Sequence, residues 1–475
     1  MAQSTACPTG GQFDSVRDQL KQHEGLPFLR LLSRNLIEAA CRECSYFWRE
    51  RIYTPSITLA IFLSQILSDD HSCDDAVDRF QKYRCDRGLP RVATSTASYC
   101  EARRRLPEKL FWELVRLVGR AIQQQANPAW LFHGRAVKIA DGSTVLMPDT
   151  PENQAAYPQA KTQAPGVGLP IARILVVFSL AVGTVLEAAL GPYQGKQTSE
   201  LALLRQISNA FQPGDIFLAD RFFCSYWVIA ALLSRGVDVV VRLHQRRSVD
   251  FRRGRRLGRE DRLVTWKKPD RPKWMSRAEY EAMPAELTVR VLRVRVSDKT
   301  KRVRKLEVVT TLLDAREYPK EEVGSLFRQR WHAELDLRTL KSQMQMEVLR
   351  TKTPEMVRKE VAVHLLAYNL IRGIMAEAAR AAEVKPRQLS FAGAQHTIRA
   401  FEEVHLYDPA RIVADFPRLL ELIGEKRVGD RPDRYEPRAV KRRPKPHPLL
   451  TMPREAARRL IERGRIPYDK KKYKY

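Results

Sequence analysis

Acidic residues are the scarce class in this chain. Of 475 residues, 55 are Asp or Glu against 83 Lys or Arg, a formal charge of +28. An excess of that size points to a polyanionic partner, most simply nucleic acid. Long apolar runs are missing as well. The longest, Ile174 to Leu186, contains Gly183-Thr184 and is too short to span a bilayer; it reads as two strands about a hairpin turn. The opening residues, MAQSTACPTGGQFDS, carry neither the basic nor the apolar block of a signal peptide, and no lipidation signal appears. These absences predict a soluble, cytoplasmic protein with no membrane partner.

Cysteine runs out early. Cys7, Cys41, Cys44, Cys73, Cys85 and Cys100 precede residue 101, and Cys224 is the last. An odd number without a secretory signal predicts reduced, buried thiols. Cys41-x-x-Cys44 with Cys73 and Cys85 leaves zinc as an alternative, although the second pair is spaced more widely than structural zinc sites use. With no cysteine beyond Cys224, His332-Ala333-Glu334 cannot be half of a zinc deaminase motif. There is no H-E-x-x-H and no G-x-S-x-G, and GPYQGKQT lacks the register of a phosphate-binding loop.

Hydrophobic residues make up 44 %, enough for packed cores, and the length exceeds one ordinary domain. Residues 1–130 read as a helical N-terminal domain, expected to bind DNA. Within it, Ile57–Leu67 is apolar nearly all round and predicts a buried helix. Thr94–Leu106 predicts a helix ending in Arg103, Arg104 and Arg105; such short helices fit a helix-turn-helix and equally a plain bundle. From Arg135 the pattern turns to strands: AVKIAD ending at Asp141, two strands across Gly183-Thr184, a helix from Thr198-Ser199, DIFLAD ending at Asp220, a helix closed by Gly236, and the β-branched run VDVVVRLH. Three strands, helix, strand, helix, strand is the order of a ribonuclease-H-like mixed α/β sheet, placed at 131–245 and 319–400. Residues 246–318 alternate basic and apolar side chains and predict a β-rich antiparallel insertion with one cationic face; Trp266 or Trp274 on it is a candidate to stack on an unpaired base, or to pack in a satellite core. Residues 401–475 form a basic C-terminal region. From Lys426 to Tyr475 there are 18 Lys/Arg and 6 Asp/Glu, with KRRPKP at the centre, predicting an extended, solvated segment that contacts phosphates.

The stretch EEVGSLFRQRWHAELDLRTLK (321–341) organises the rest. Read as one helix, it sets Phe327, Arg330, Glu334, Arg338 and Lys341 on one face. Spacing alone fits an ordinary salt-bridged amphipathic helix too. Position separates the readings: Asp141 and Asp220 end two strands that neighbour each other in such a sheet, and the helix returns beside them. Three carboxylates brought together only by the fold suit Mg²⁺, which takes hard oxygen ligands. Asp149 and Asp215 are placed in a loop and at the wrong end of a strand, and Asp336 lies about 200° around the helix from Glu334.

Phe327-x2-Arg330-x3-Glu334-x6-Lys341 resembles the Y-x2-R-x3-E-x6-K signature of DDE transposases of the insertion sequence 4 family, with Phe327 in place of tyrosine. LADRFF around Asp220 and KIADGST around Asp141 are similar to that family's other two motifs. The resemblance implies a DDE-type DNA transposase that binds terminal inverted repeats, cuts at the 3′ ends with metal-activated water and joins the freed 3′-OH to target DNA. It further implies Asp141, Asp220 and Glu334 as catalytic and metal-binding residues for two Mg²⁺ (or Mn²⁺) ions. Arg330 and Lys341 would hold phosphates near the cut, Phe327 would pack or stack beside them, and Arg338 joins the DNA-binding set. The implied partners are double-stranded DNA, as transposon ends and target, and a second copy of the chain on paired ends; the implied place is the bacterial nucleoid. A DNA-binding protein derived from a transposase, and a nuclease without strand transfer, are the alternatives.

Overall fold

The computed structural model describes residues 32–196, 198–295, 305–407, 411–429 and 450–465. Before the first strand come α1 (Arg34–Glu43), α2 (Pro55–Leu67), α3 (Cys73–Asp86), α4 (Ala97–Arg105) and α5 (Glu108–Gln124). Thr54 caps α2 by accepting from the Ile57 N–H, and Pro55 takes the first helical position, where a missing N–H costs nothing. Then follow β1 (Val137–Leu146), α6 (Pro151–Ala156), β2 (Ile171–Ser179), β3 (Val185–Pro192), α7 (Glu200–Gln206), β4 (Ile216–Ala219), α8 (Tyr226–Leu233) and β5 (Asp238–Arg242). The remaining elements are β6 (Arg255–Gly258), β7 (Asp261–Lys267), α9 (Arg277–Ala282), β8 (Glu286–Arg295), β9 (Lys305–Thr310), α10 (Lys320–Arg328), α11 (Trp331–Arg338), α12 (Pro354–Ala381), α13 (Phe391–Tyr407), α14 (Arg411–Glu425) and α15 (Arg454–Glu462).

All nine strands form one mixed sheet in the order β3-β2-β1-β4-β5-β9-β8-β7-β6. β3, β2 and β1 run antiparallel, β1, β4 and β5 parallel, and the rest antiparallel. Alternation along each strand divides the side chains between two cores. Ile139, Val176, Leu218, Val240 and Leu292 face α5 and α12, whereas Ala140, Val177, Phe217, Val241 and Val291 face α7 and α8. The hairpin between β2 and β3 turns at Gly183, whose φ of +82° suits glycine.

Four expectations change. β1 does not end at Asp141 but continues to Leu146 on β2; only its pairing with β4 stops, after Ile139. The strands of the 246–318 stretch extend the main sheet through β5 and β9, and they have no uniformly cationic face. Arg290 is fully buried, its guanidinium bound by both Asp261 oxygens at 2.9 and 2.6 Å, and Arg293 is bound by Glu260 and Glu307. The zinc alternative fails among the described residues: Cys41 and Cys44 pack on the main core, Cys73 borders a separate cluster, and Cys85 is exposed. The expected extended tail lies mostly outside the described residues, KRRPKP included; within 450–465 the chain forms α15 rather than an extended segment.

α12 is buried along nearly its whole length and ties the layers together. Asn369 donates to the Val115 and Val185 carbonyls and accepts from the Val185 N–H, stapling α5 to β3. Asp336 of α11 is fully buried between Arg372 of α12, at 2.6 Å, and Arg387, at 2.7 and 2.8 Å. Arg387 also donates to the Ser179 and Leu180 carbonyls at the β2–β3 hairpin. Removing one member of a buried ion pair strands the other charge. Asp336→Ala is therefore expected to lower stability by about 3–5 kcal/mol, read from denaturant unfolding; a loss below about 1 kcal/mol would show that the cluster holds little.

Candidate active site

β1 and β4 keep a constant offset: Val137 pairs with Ile216 and Ile139 with Leu218, 79 residues apart (216 − 137). Asp220 is 79 residues beyond Asp141 (220 − 141), so the two acids sit level at the place where the strands part. Neighbouring strands are about 4.8 Å apart. Asp141 has the parity of Ile139 and so lies on the face that α11 covers, where Glu334 projects. Asp141, Gly142, Ser143, Glu334, Leu337, Arg338, Lys341, Ser342 and Glu347 line one cleft of about 330 Å³. Asp220 is half-buried just outside that lining and turns its Oδ1 to the Arg221 N–H at 2.7 Å.

The 321–341 stretch is not one regular helix. Between α10 and α11 the N–H groups of Gln329, Arg330, His332 and Ala333 bond three residues back, a 3₁₀-type turn. Each 3₁₀ residue turns about 20° further than an α-helical one. Over four residues that swings Phe327 about 80° off the Glu334 stripe. Phe327 is 5 % exposed and packs in the main core, so it offers no ring to DNA. After Arg338 a π-turn over Thr339–Gln343 loosens the helix and keeps Lys341 on the cleft.

Arg330 donates to Glu334 Oε1 at 2.6 Å, as an i,i+4 pair. Lys341 lies 3.4 Å from Glu347, and exposed Arg338 has no carboxylate partner among the described residues. The three decoys hold structure instead. Asp336 anchors α11 from behind, Asp215 pairs with buried Lys138, and Asp149 accepts from Gln154. Trp266 and Trp274 each carry a guanidinium, of Arg247 and Arg205, 4.0 Å from the ring centre.

A fourth carboxylate enters from the other face. A Cβ on Gly142 would lie 2.4 Å from the Glu200 carboxyl carbon, so Glu200 occupies the place that a side chain after Asp141 would take. Among the described residues the Glu200 carboxylate has no hydrogen-bond or ion-pair partner. Burial raises its pKa, Arg173 opposes that and Asp220 adds to it. For Asp141, burial pushes the pKa up to about 6; the Gly142 N–H and Arg330 oppose it, while Glu200 and Glu334 add to it. Glu200 is thus the group felt by both strand acids. Sequence reading passed over it because α7 looked like a connector, and the signal available was a glycine directly after a strand acid.

Residues 133–370 match the family described as Transposase DDE domain. The chain is 30 % identical over 328 residues to transposase InsG for insertion sequence element IS4 of Escherichia coli (strain K12), covering 68 % of this chain and 71 % of that protein. The chain belongs to the DDE transposases of the IS4 type. Among solved structures, a piggyBac transposase synaptic complex with hairpin DNA aligns with a TM-score of 0.40 and 13 % identity, over 85 % of this chain and 86 % of that one. Among the described residues, no helix of the transposase is long and apolar enough to cross a membrane.

The sign of the Asp141 shift yields a test. Its folded pKa lies above the ordinary carboxylate value, so the folded state binds more protons and loses stability as pH rises from about 4 to 6. Without divalent ions at pH 7, Asp141→Asn should therefore unfold at higher temperature, a gain on the order of 1–3 kcal/mol. Calorimetry in EDTA at pH 4 and 7 decides it; a gain that is equal at both values contradicts the electrostatic origin.

Proposed function

We propose that the transposase has a ribonuclease-H-like core in which Asp141, Asp220 and Glu334 carry DNA cleavage and strand transfer at the ends of its element. The observation that supports this best is the shared cleft: Asp141 and Glu334 face each other across it, with Arg338 and Lys341 on its wall. The strand order β3-β2-β1-β4-β5, antiparallel then parallel, supports the core assignment.

The donor chemistry fits divalent ions. Asp141, Asp220 and Glu334 each use one carboxylate oxygen on a local N–H and leave the other without a protein partner among the described residues. Among those residues no three ligating groups lie at coordination distance of one another. When bound, two Mg²⁺ ions, or Mn²⁺, would supply positive charge at the attacking and leaving oxygens of the phosphodiester. The chain's own residues do the rest. Arg330 holds Glu334 Oε1 and fixes its aim, and Arg338 and Lys341 bind phosphate oxygens beside the reacting one. Lys341's tie to Glu347 is long and exposed, so a phosphate can displace it. Glu200 adds negative charge beside Asp141 and Asp220 from behind the sheet. Terminal inverted repeats and a target duplex are the DNA partners, and two copies of the chain pair the ends on the nucleoid.

Incubation of the protein with Mg²⁺, a duplex carrying the element's ends and a target plasmid tests this. Joined product supports transposition, cut-only product makes it a nuclease, and shifted but intact DNA makes it a binder. Glu334→Gln should lower single-turnover cleavage by about a hundred-fold or more while binding stays within about threefold. Lys341→Ala should lower the rate more than the affinity, because charge beside the reacting phosphate acts mainly in the transition state. Equal losses of rate and affinity would reduce Lys341 to an anchor.

A further inference from the structure

Away from the cleft, the N-terminal helices bury a cation that has no acid. Arg103 of α4 is 6 % exposed, and no carboxylate pairs with it among the described residues. One of its terminal nitrogens donates to Gln65 Oε1 at 3.0 Å; the other lies 3.2 Å from Cys73 Sγ and 3.5 Å from Cys100 Sγ. The guanidinium sits between the Phe62 and Tyr99 rings, at 4.8 and 4.7 Å, and its Nε is buried without a partner. A guanidinium keeps its charge at any ordinary pH, and a buried one needs an anion. Gln65 is neutral and its oxygen already accepts from the Tyr99 hydroxyl. Glu360 is close enough to be felt, but its oxygens are taken by the Arg350 and Thr351 N–H groups and the Thr351 hydroxyl. The two sulfurs lie 3.8 Å apart; among the described residues the other ionisable group in contact is the Tyr99 phenol, which burial holds above its ordinary range, so the thiols are the better source of negative charge.

We propose that Cys100 and Cys73 form a peroxide-reactive thiol pair, Cys100 as the thiolate that attacks and Cys73 as the thiol that resolves. The hydrogen bond shared with Cys73, and then Arg103, hold Cys100 well below the ordinary thiol range; that same bond and burial hold Cys73 above it. Cys100 attacks one oxygen of a hydroperoxide, the O–O bond breaks, and the leaving oxygen takes a proton to depart as water or alcohol. Cys73 then attacks the sulfenic sulfur of Cys100; the S–O bond breaks and hydroxide leaves with the Cys73 proton as water. Two thiols are oxidised by two electrons, the peroxide is reduced by two, and α3 becomes linked to α4. Both cysteines are half-buried rather than enclosed. Buried Cys41 and Cys224 are poor rivals: burial pushes their thiols up to about 12 and about 11. Exposed Cys85, which no described hydrogen bond ties to another cysteine, serves as the internal control.

The test uses the full chain. At pH 6 an ordinary thiol is about 0.3 % thiolate, so iodoacetamide should label Cys100 at least ten-fold faster than Cys85, read by peptide mass spectrometry. Hydrogen peroxide at equimolar excess should yield a Cys73–Cys100 linked peptide that dithiothreitol reverses. In Cys73→Ser, Cys100 should stop at the sulfenic acid and give a dimedone adduct. Labelling of Cys100 no faster than Cys85 removes the thiolate, and oxidation of Cys100 that leaves Cys73 free removes the pair. Neither outcome bears on DNA cleavage.

Discussion

The buried carboxylate of Asp336, clamped by Arg372 and Arg387, is the constraint on which the candidate site depends. α11 is only eight residues long, preceded by a 3₁₀-type turn and followed by a π-turn. Such a segment has little stiffness of its own. What fixes its rotation is one acid on its inner face, held by arginines from α12 and from the turn beside the β2–β3 hairpin. With Asp336 locked inward, Glu334 is left on the outer side of the same helix, over Asp141. A buried acid thereby sets the aim of its half-buried neighbour two residues away.

That division between neighbouring acids shows how much the sequence could tell. The residues 141, 220 and 334 stood out because two followed apolar runs and one lay in a motif with fixed gaps, and the register of β1 on β4 sets the first two level. Phe327 and Glu200 show the limit. Periodicity assumes a uniform 3.6-residue turn, and a local change of pitch moved Phe327 into the core without any mark in the composition. Glu200 approaches through the space that Gly142 leaves, a contact between elements 58 residues apart (200 − 142) that no local pattern encodes. The order of strands and helices was legible because each is a long apolar signal; the continuity of the sheet was not, since it needs β9 to be seen beside β5.

The charge excess is also less available than its total suggests. Arg103, Arg290, Arg372 and Lys138 are nearly or fully buried, and Arg293 and Arg116 are bound to carboxylates. Alternating Arg and Val along β8 reads as a wet cationic face, yet the strand is covered on both sides, and Arg290 serves as a cross-link to Asp261 and the Tyr318 carbonyl. Among the described residues, basic side chains open to a polyanion include Arg338 on the cleft wall and Arg252, Arg253, Arg255 and Arg256 at and before β6. A formal charge is therefore a sound indicator of partner class and a poor map of where the partner lies.

The cleft and the N-terminal helices solve opposite electrostatic problems. At the cleft, burial raises the Asp141 pKa, and Glu200 and Glu334 add to it against partial compensation by the Gly142 N–H and Arg330. Around Arg103 the excess is positive, and thiols, the weakest acids that still ionise near neutrality, are drawn in to answer it. Among the described residues, other buried charges are closed into pairs, as at Arg290–Asp261 and Lys138–Asp215, or into hydrogen bonds, as at Glu360. A fold that satisfies its interior charges this thoroughly marks its exceptions. Where a surplus of either sign is left, as at these two places, it marks a candidate position for an external group to bind or react.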